Sequence, residues 1–397
     1  MKKITTSLAL ALIGVVAGAQ SYYQDAANSE MLRHESYHQA CRHEVILPQV
    51  NGYNVYKADL HTHTIFSDGQ VLPVYRVKEA WVDGLDIMAV TEHIEYRPHE
   101  ELFVNQLKNY ISPKYDKAIN NVHTGGEKLD ENGIMVDLNY CIRKSQAEAK
   151  KYGLLIIPGT EITRSGKYVG HFNGLFTTDN NTIYDPDPVQ AVKNAKAQGA
   201  IIMHNHPGWT RSSIDFTDTE KILYEEGLID GVEVMNGTEF YPGVVDRICE
   251  YDQFIAANTD IHSTTAMDYT LNRNFRPMTL ILAKEKTLEA VREALEARRT
   301  LALGFNTVCG KEQLLKDFFA ASVKVSVIRV TDKSIELAVT NTTSIPYTIT
   351  RPGQNQTKLD PFCTIRMKVS KEETSLKLTV LNMFCAKDRH PEVELTF

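Results

Sequence analysis

Three absences in this chain of 397 residues narrow its chemistry before any motif is read. None of the six cysteines stands in a C-x-x-C pair, so neither a thiolate metal site nor a thioredoxin-type redox motif is indicated. Positive charge is scarce: 43 Lys and Arg against 50 Asp and Glu leave a formal net charge of -7 and no sign of a basic face for DNA or RNA. Beyond the first residues no apolar run is long enough to span a bilayer, and no Ser or Cys stands in a nucleophile elbow. An anionic substrate would have to be drawn in by a local field, since the global one is repulsive.

The first residues do form a pattern. Met1-Lys2-Lys3, an apolar run from Leu8 to Val16 and Ala17-Gly18-Ala19 predict a signal peptide over residues 1–19, with the mature chain starting at Gln20. No Cys follows that site, so the expectation is a periplasmic or secreted protein and not a lipoprotein. Export would permit a disulfide, Cys363 with Cys385 being the first pair to check, with buried free thiols as the alternative. Residues 20–54, polar and carrying His34, His38 and His43, read as an N-terminal arm.

From residue 55 to about 310 short apolar runs alternate with amphipathic ones. Strands are predicted at Val55–His63, Leu85–His93, Leu154–Ile162, Tyr168–Phe176, Ala200–His206, Gly231–Asn236, into Asp260, and at Pro277–Ala283 and Leu301–Phe305. Helices are predicted at Val74–Val82, Lys144–Tyr152, Pro188–Gln198, near Glu220, at Val245–Ala256 and on the Leu288–Leu295 stripe. Repeated β-then-α units imply a parallel sheet covered by helices and favour a TIM-like barrel, whose chemistry sits at the C-terminal strand ends. Residues 97–143, with Gly125-Gly126, break the rhythm and read as a cap insertion. Residues 321–397 read as a small antiparallel β-sandwich, an accessory domain without a helix or obvious catalytic residues.

The strand ends carry the chemistry. Lys57 to Gly69 runs as a strand into a Ser-Asp-Gly turn, and period 2 puts His61 and His63 on one face with Asp68 just beyond. Two imidazoles and a carboxylate in that arrangement suit Zn, Mn or Fe. Later strands end in Thr91-Glu92-His93, in Pro158-Gly159-Thr160-Glu161 and in His204-Asn205-His206-Pro207. Another carries His171, and one runs into Asp260-Ile261-His262. A single such end has a bland reading as a satisfied polar terminus; the set would converge on one rim.

Taken in order, His-x-His with a following Asp, Thr-Glu-His, Gly-x-Glu-Ile with a His ten residues on, His-x-His-Pro and Asp-x-His resemble the PHP superfamily of metal-dependent phosphoesterases, named for polymerases and histidinol phosphatase. Thr91-Glu-His-Ile-Glu-Tyr-Arg-Pro-His99, with Glu161-Ile-Thr-Arg164 and Gly170-His-Phe-Asn173, is similar to an exported phosphodiesterase branch. The resemblance covers about residues 55–306 and implies a distorted (β/α)7 barrel with two or three divalent ions. By that resemblance, His61, His63, Glu161 and Asp260 hold one ion. Glu161 bridges to a second on His171 and His204, and a third takes Asp68, His93 and His262. The family's second motif more often reads Asp-His, so Glu92 is not expected to be a ligand.

The expected activity is hydrolysis of a small-molecule phosphate diester by a metal-bridging hydroxide. A phosphomonoesterase is the alternative, and an amidohydrolase-like enzyme a weaker one, since the usual carbamylated-Lys strand is not evident. His206 is the candidate acid or orienting residue, with a structural hydrogen bond before Pro207 as its other reading. Arg164 is the candidate phosphate clamp, ahead of Arg97, Arg211, Arg273 and Arg276.

Overall fold

The structure is a computed structural model that describes residues 41–100, 106–107, 136–269 and 274–397, together with the backbone of Tyr22–Gln24 and Leu32–His34. The predicted signal peptide, most of the predicted arm, the middle of the predicted cap and Arg273 lie outside the described residues. Two compact units are present, Met1–Arg42 and His43–Phe397. In the first, Tyr22–Gln24 pairs antiparallel with Leu32–His34.

The second unit is built on strands β1 (Asn54–Asp59), β2 (Ile87–Val90), β3 (Leu155–Ile162), β4 (Phe172–Leu175), β5 (Ile201–His204), β6 (Gly231–Asn236), β7 (Phe254–Asn258), β8 (Met278–Ala283), β9 (Thr300–Gly304) and β10 (Thr307–Cys309). Local chemistry fixes where the covering helices start. Pro73 and Pro188 open α1 (Pro73–Val82) and α3 (Pro188–Ala197), where a missing N–H costs nothing. Between them lies α2 (Tyr140–Ala149). Thr217 and Glu220 cap each other's backbone at the start of α4 (Asp218–Glu225). Then come α5 (Val244–Glu250), α6 (Leu288–Glu296) and α7 (Glu312–Ser322).

The sheet is curled into a half-barrel and mixed, not parallel throughout. Its order is β7-β6-β5-β4-β3-β2-β1-β8-β9-β10, continued by Met383–Phe384. β4 runs antiparallel to both β3 and β5, and β8 runs antiparallel to β1, so a regular sevenfold β/α alternation is not what forms. Two isolated bridges prolong the rim. His93 pairs with Glu161, and Thr62 pairs with Ile261, tying the end of β1 to the end of β7. Their backbone bonds, His63 N to Ile261 O at 3.2 Å and Asp260 N to His61 O at 3.0 Å, set two histidines beside an aspartate.

Two element expectations need correction. The predicted helix Val245–Ala256 ends at Glu250, because Asp252 takes a positive φ of 47° and the chain re-enters the sheet at Phe254. A fully buried run such as Phe254–Asn258 does not tell helix from strand by period. The strand predicted from Tyr168 begins only at Phe172, since the amides of Tyr168, Val169 and Gly170 all turn back to Ser165 O.

After α7 come a three-stranded sheet (Val323–Val330, Ser334–Asn341, Thr364–Ser370) and a four-stranded one (Thr357–Leu359, Tyr347–Thr350, Ser375–Val380, Glu392–Thr396). Phe318 and Phe319 of α7 pack with Leu337, Tyr347 and Val380 in a cluster that also holds Leu303 and Val308 of the half-barrel sheet. All six cysteines are free thiols, so Cys363 and Cys385 are not bridged. Among the described residues no helix is long and apolar enough to cross a membrane.

Candidate metal centre

Six imidazoles and three carboxylates converge at the C-terminal rim, in three overlapping groups. These are His61, His63, Glu161 and Asp260; Glu161, His171 and His206; and His63, Asp68, His93 and His262. Glu161 is the hub. Its Oε2 lies 3.3 Å from both His61 Nε2 and His63 Nε2 and 2.8 Å from His93 Nδ1, while Oε1 lies 3.1 Å from His171 Nδ1 and 3.7 Å from His206 Nε2. Asp260 closes the opposite side, with Oδ1 at 3.1 Å from His61 Nε2 and 3.0 Å from His63 Nε2. Its positive φ of 53° turns it inward at the strand end. Asp68 Oδ1 stands 3.0 Å from His262 Nε2 and 3.3 Å from His93 Nε2.

Five buried atoms here make no hydrogen bond: His61 Nε2, His63 Nε2, Glu161 Oε2, Asp260 Oδ1 and Asp68 Oδ1. Buried polar atoms are normally satisfied. Imidazole nitrogens and carboxylate oxygens left unpaired toward common points are a donor set that fits divalent Zn, Mn or Fe. Other buried groups hold the far side of the rings. His61 Nδ1 donates to Glu233 Oε1 at 3.0 Å, which leaves Nε2 its lone pair for a cation. The same carboxylate accepts from Asn236 Nδ2, Asn258 Nδ2 and the His206 amide. His63 Nδ1 meets Ser67 Oγ at 3.2 Å, and Ser67 and Thr64 both donate to Glu92. Glu92 therefore orders the loop behind His63 and is not in any of the three groups.

The electrostatics follow from this crowding. Burial works against charge on Glu161 and Asp260, yet the surrounding imidazoles, His93 and His61 foremost for Glu161 and His61 and His63 for Asp260, hold both carboxyls well below their ordinary range. Burial likewise opposes a charged His93, but Glu161 and Asp68 outweigh it and push that imidazole up to about 10. His61 is raised well above its ordinary value against its own burial by Asp260, Glu161 and Glu233.

One expected ligand lies elsewhere. His204, the last residue of β5, faces α4, with Nε2 at 2.9 Å from Glu220 Oε1 and Nδ1 at 3.1 Å from Tyr224 Oη. His206 takes its expected place beside Glu161 and His171. The strand stops at His204 and His206 adopts a φ of 23°, so period 2 no longer relates the two side chains. His206 is thus part of the cluster.

The arginines are also engaged. Arg164 lines the cleft, but it pairs with Glu95 and donates to Asp185 O and Thr163 O. Arg97 pairs with Glu100, Arg211 with Glu220, and Arg276 is buried between Asp59 and Asp83. Glu233, a carboxylate inside the apolar strand Gly231–Asn236, was missed, although a lone acid among Val and Met residues is itself a signal of a buried partner. Trp209 was missed as well; its indole packs 5.2 Å from His171 and 5.3 Å from His206 at the cleft wall. The cleft over the cluster has a volume of about 1100 Å³, with Tyr96, Tyr168 and Tyr184 on its sides.

No family model and no curated protein matches the chain. A solved structure from Bacteroides vulgatus, described as a two-domain protein containing a predicted PHP-like metal-dependent phosphoesterase, is similar at 29% identity and a TM-score of 0.76. The match covers 90% of this chain and 99% of that one. A protein from Bifidobacterium adolescentis named as a metal-dependent phosphoesterase matches at 13% identity and a TM-score of 0.37, covering 61% of this chain and 96% of that one. A lesion-specific endonuclease from Pyrococcus furiosus matches at 17% identity and 0.39, covering 65% and 59%. The last two likenesses are too loose to carry an argument about activity.

Proposed function

The chain belongs to the PHP superfamily, and from that premise we propose that it is an exported metal-dependent phosphoesterase that hydrolyses phosphate diesters. The observation that carries the reading is the hub at Glu161, where imidazoles meet one buried carboxylate and a facing Asp260 with their donor atoms unpaired. We assign His61, His63, Glu161 and Asp260 to one ion, Glu161, His171 and His206 to a second, and Asp68, His93 and His262 to a third, since the one free nitrogen of His63 serves a single ion. Divalent ions bound there would supply Lewis-acid charge to a phosphoryl oxygen and lower the pKa of a water.

The chain's own residues do the rest. Glu233 and Ser67 hold His61 and His63 in the tautomer and orientation that a cation requires. The wide cleft leaves room for substituents on both sides of a phosphorus centre. Its basic side chains are few: Lys167 lies on the wall, and the Arg164 guanidinium is already held by Glu95. That supply of charge matches the single negative charge of a diester better than the two of a monoester.

Purified protein supplied with Mn or Zn should turn over bis-p-nitrophenyl phosphate faster than p-nitrophenyl phosphate, and chelation should abolish both. Faster monoester turnover would replace the diester assignment, and activity that survives chelation would remove the metal from it.

A further inference from the structure

A second cleft, of about 600 Å³, lies where the half-barrel sheet meets the C-terminal sheets. Two phenylalanines stand exposed at its edge, Phe305 at 40% and Phe362 at 56%. Both occupy turn positions at which a bulky side chain is out of place. Phe305 and Asn306 form the two-residue loop of the β9–β10 hairpin, with Gly304 opposite Thr307 and φ of 48° and 64°. Positive φ at both central residues is the geometry that favours Asn-Gly or Asp-Gly. Phe362 follows Pro361 in a turn closed by Cys363 N donating to Asp360 O at 3.2 Å, and its φ is 55°. Gly or Asn is the usual occupant of that position too. Two strained, solvent-facing aromatics on one cleft are a pattern that folding alone does not favour.

The floor between them is built, not left over. Asn382 donates through Nδ2 to Asn306 O at 2.7 Å and to Pro346 O at 2.9 Å, and its Oδ1 accepts from the Thr348 amide at 2.9 Å. One amide thus joins the β9–β10 hairpin to the four-stranded sheet. The polar lining is Asn, Thr, Ser344 and His43, with Glu44 and Asp360 against Lys358, which offers no excess of positive charge to an anion. Exposed ring faces stack on the apolar faces of sugar rings, while amides and carboxylates at the edges bond to hydroxyls.

We infer that this cleft binds a neutral carbohydrate, with Phe305 and Phe362 as its stacking platforms. The site is separate from the metal centre, and its loss leaves phosphoester turnover unchanged. The test uses the full chain in native gels cast with soluble starch, β-glucan, galactomannan or arabinoxylan, beside polygalacturonate as the anionic control. Migration should be retarded by at least one neutral polymer and not by polygalacturonate. Phe305→Asn and Phe362→Asn, which suit a positive φ, should each weaken retardation at least about tenfold. Neither should lower Tm, and both should leave bis-p-nitrophenyl phosphate hydrolysis intact. No retardation by any neutral polymer, equal retardation by polygalacturonate, or undiminished retardation of the double variant would overturn the assignment. So would a fall in Tm on either substitution, since it would mark the ring as a packing residue.

Discussion

Two buried clusters of histidine and carboxylate lie on neighbouring faces of the same sheet, and they are built to opposite ends. Around His204 most groups satisfy one another, with only His204 Nε2 and Arg211 Nε left without a hydrogen bond. Glu220 takes two bonds from Arg211, closes the capping box of α4 and sits beside His204, whose other nitrogen faces Tyr224. Around Glu161 the imidazoles crowd in faster than bonds can be made, and five donor atoms stay unpaired. The residue types are the same; what differs is a cation built into the cluster. Arg211 supplies positive charge at Glu220, whereas among the described residues no Lys or Arg pairs with Glu161, whose partners are imidazoles.

The largest break in that contrast is a change at the hub. Glu161→Gln should lower diester turnover by about a thousandfold or more, as one carboxylate serves two groups, and Asp260→Ala should act alike; steady-state kinetics with metal in excess reads both. Next is the self-contained cluster. Glu220→Gln should leave metal content intact but destabilise the fold by about 3 kcal/mol at pH 7, because the largely covered Arg211 loses its buried partner. The sign with pH is defined. Burial opposes the Glu220 charge, but His204 and Arg211 together pull its carboxyl down to about 2 from an ordinary 4.5. Its stabilisation is present above about 4.5 and is lost as pH falls through about 2, so the Tm gap between wild type and variant should close over that range. His204 itself is held below its ordinary value by burial, so Arg211 is the lasting counter-charge at neutral pH.

A smaller effect should follow metal removal. Chelation should lower Tm only for chains with the hub intact, by the equivalent of about 2.7 kcal/mol when the free ion stands at a hundred times its Kd. Smaller again, Glu233→Gln should weaken metal affinity by about ten- to a hundredfold without emptying the site at saturating ion, because it orients His61 and donates no ligand atom of its own. Titration with a fluorescent metal indicator reads that difference.

The contrast also shows what the sequence made legible. His61, His63, His93, Glu161, Asp260 and His262 stand at or just beyond strand ends, and strand ends follow from apolar runs bounded by turns. The confusion of His204 with His206 came from one backbone angle beyond β5, which no side-chain pattern encodes. The antiparallel β3–β4 pair had a readable sign, since residues 163–171 are too few for a parallel crossover. Glu233 and Glu95 acquire their roles only from tertiary neighbours, His61 in one case and Arg164 in the other, brought together from distant parts of the chain.

The most direct measurement is metal content per chain, by mass spectrometry of protein reconstituted with Zn or Mn, for wild type, His204→Ala and His206→Ala. The account predicts at least two ions in wild type, the same number in His204→Ala and one fewer in His206→Ala. A wild type that holds no ion, or a loss that follows His204 in place of His206, would contradict it.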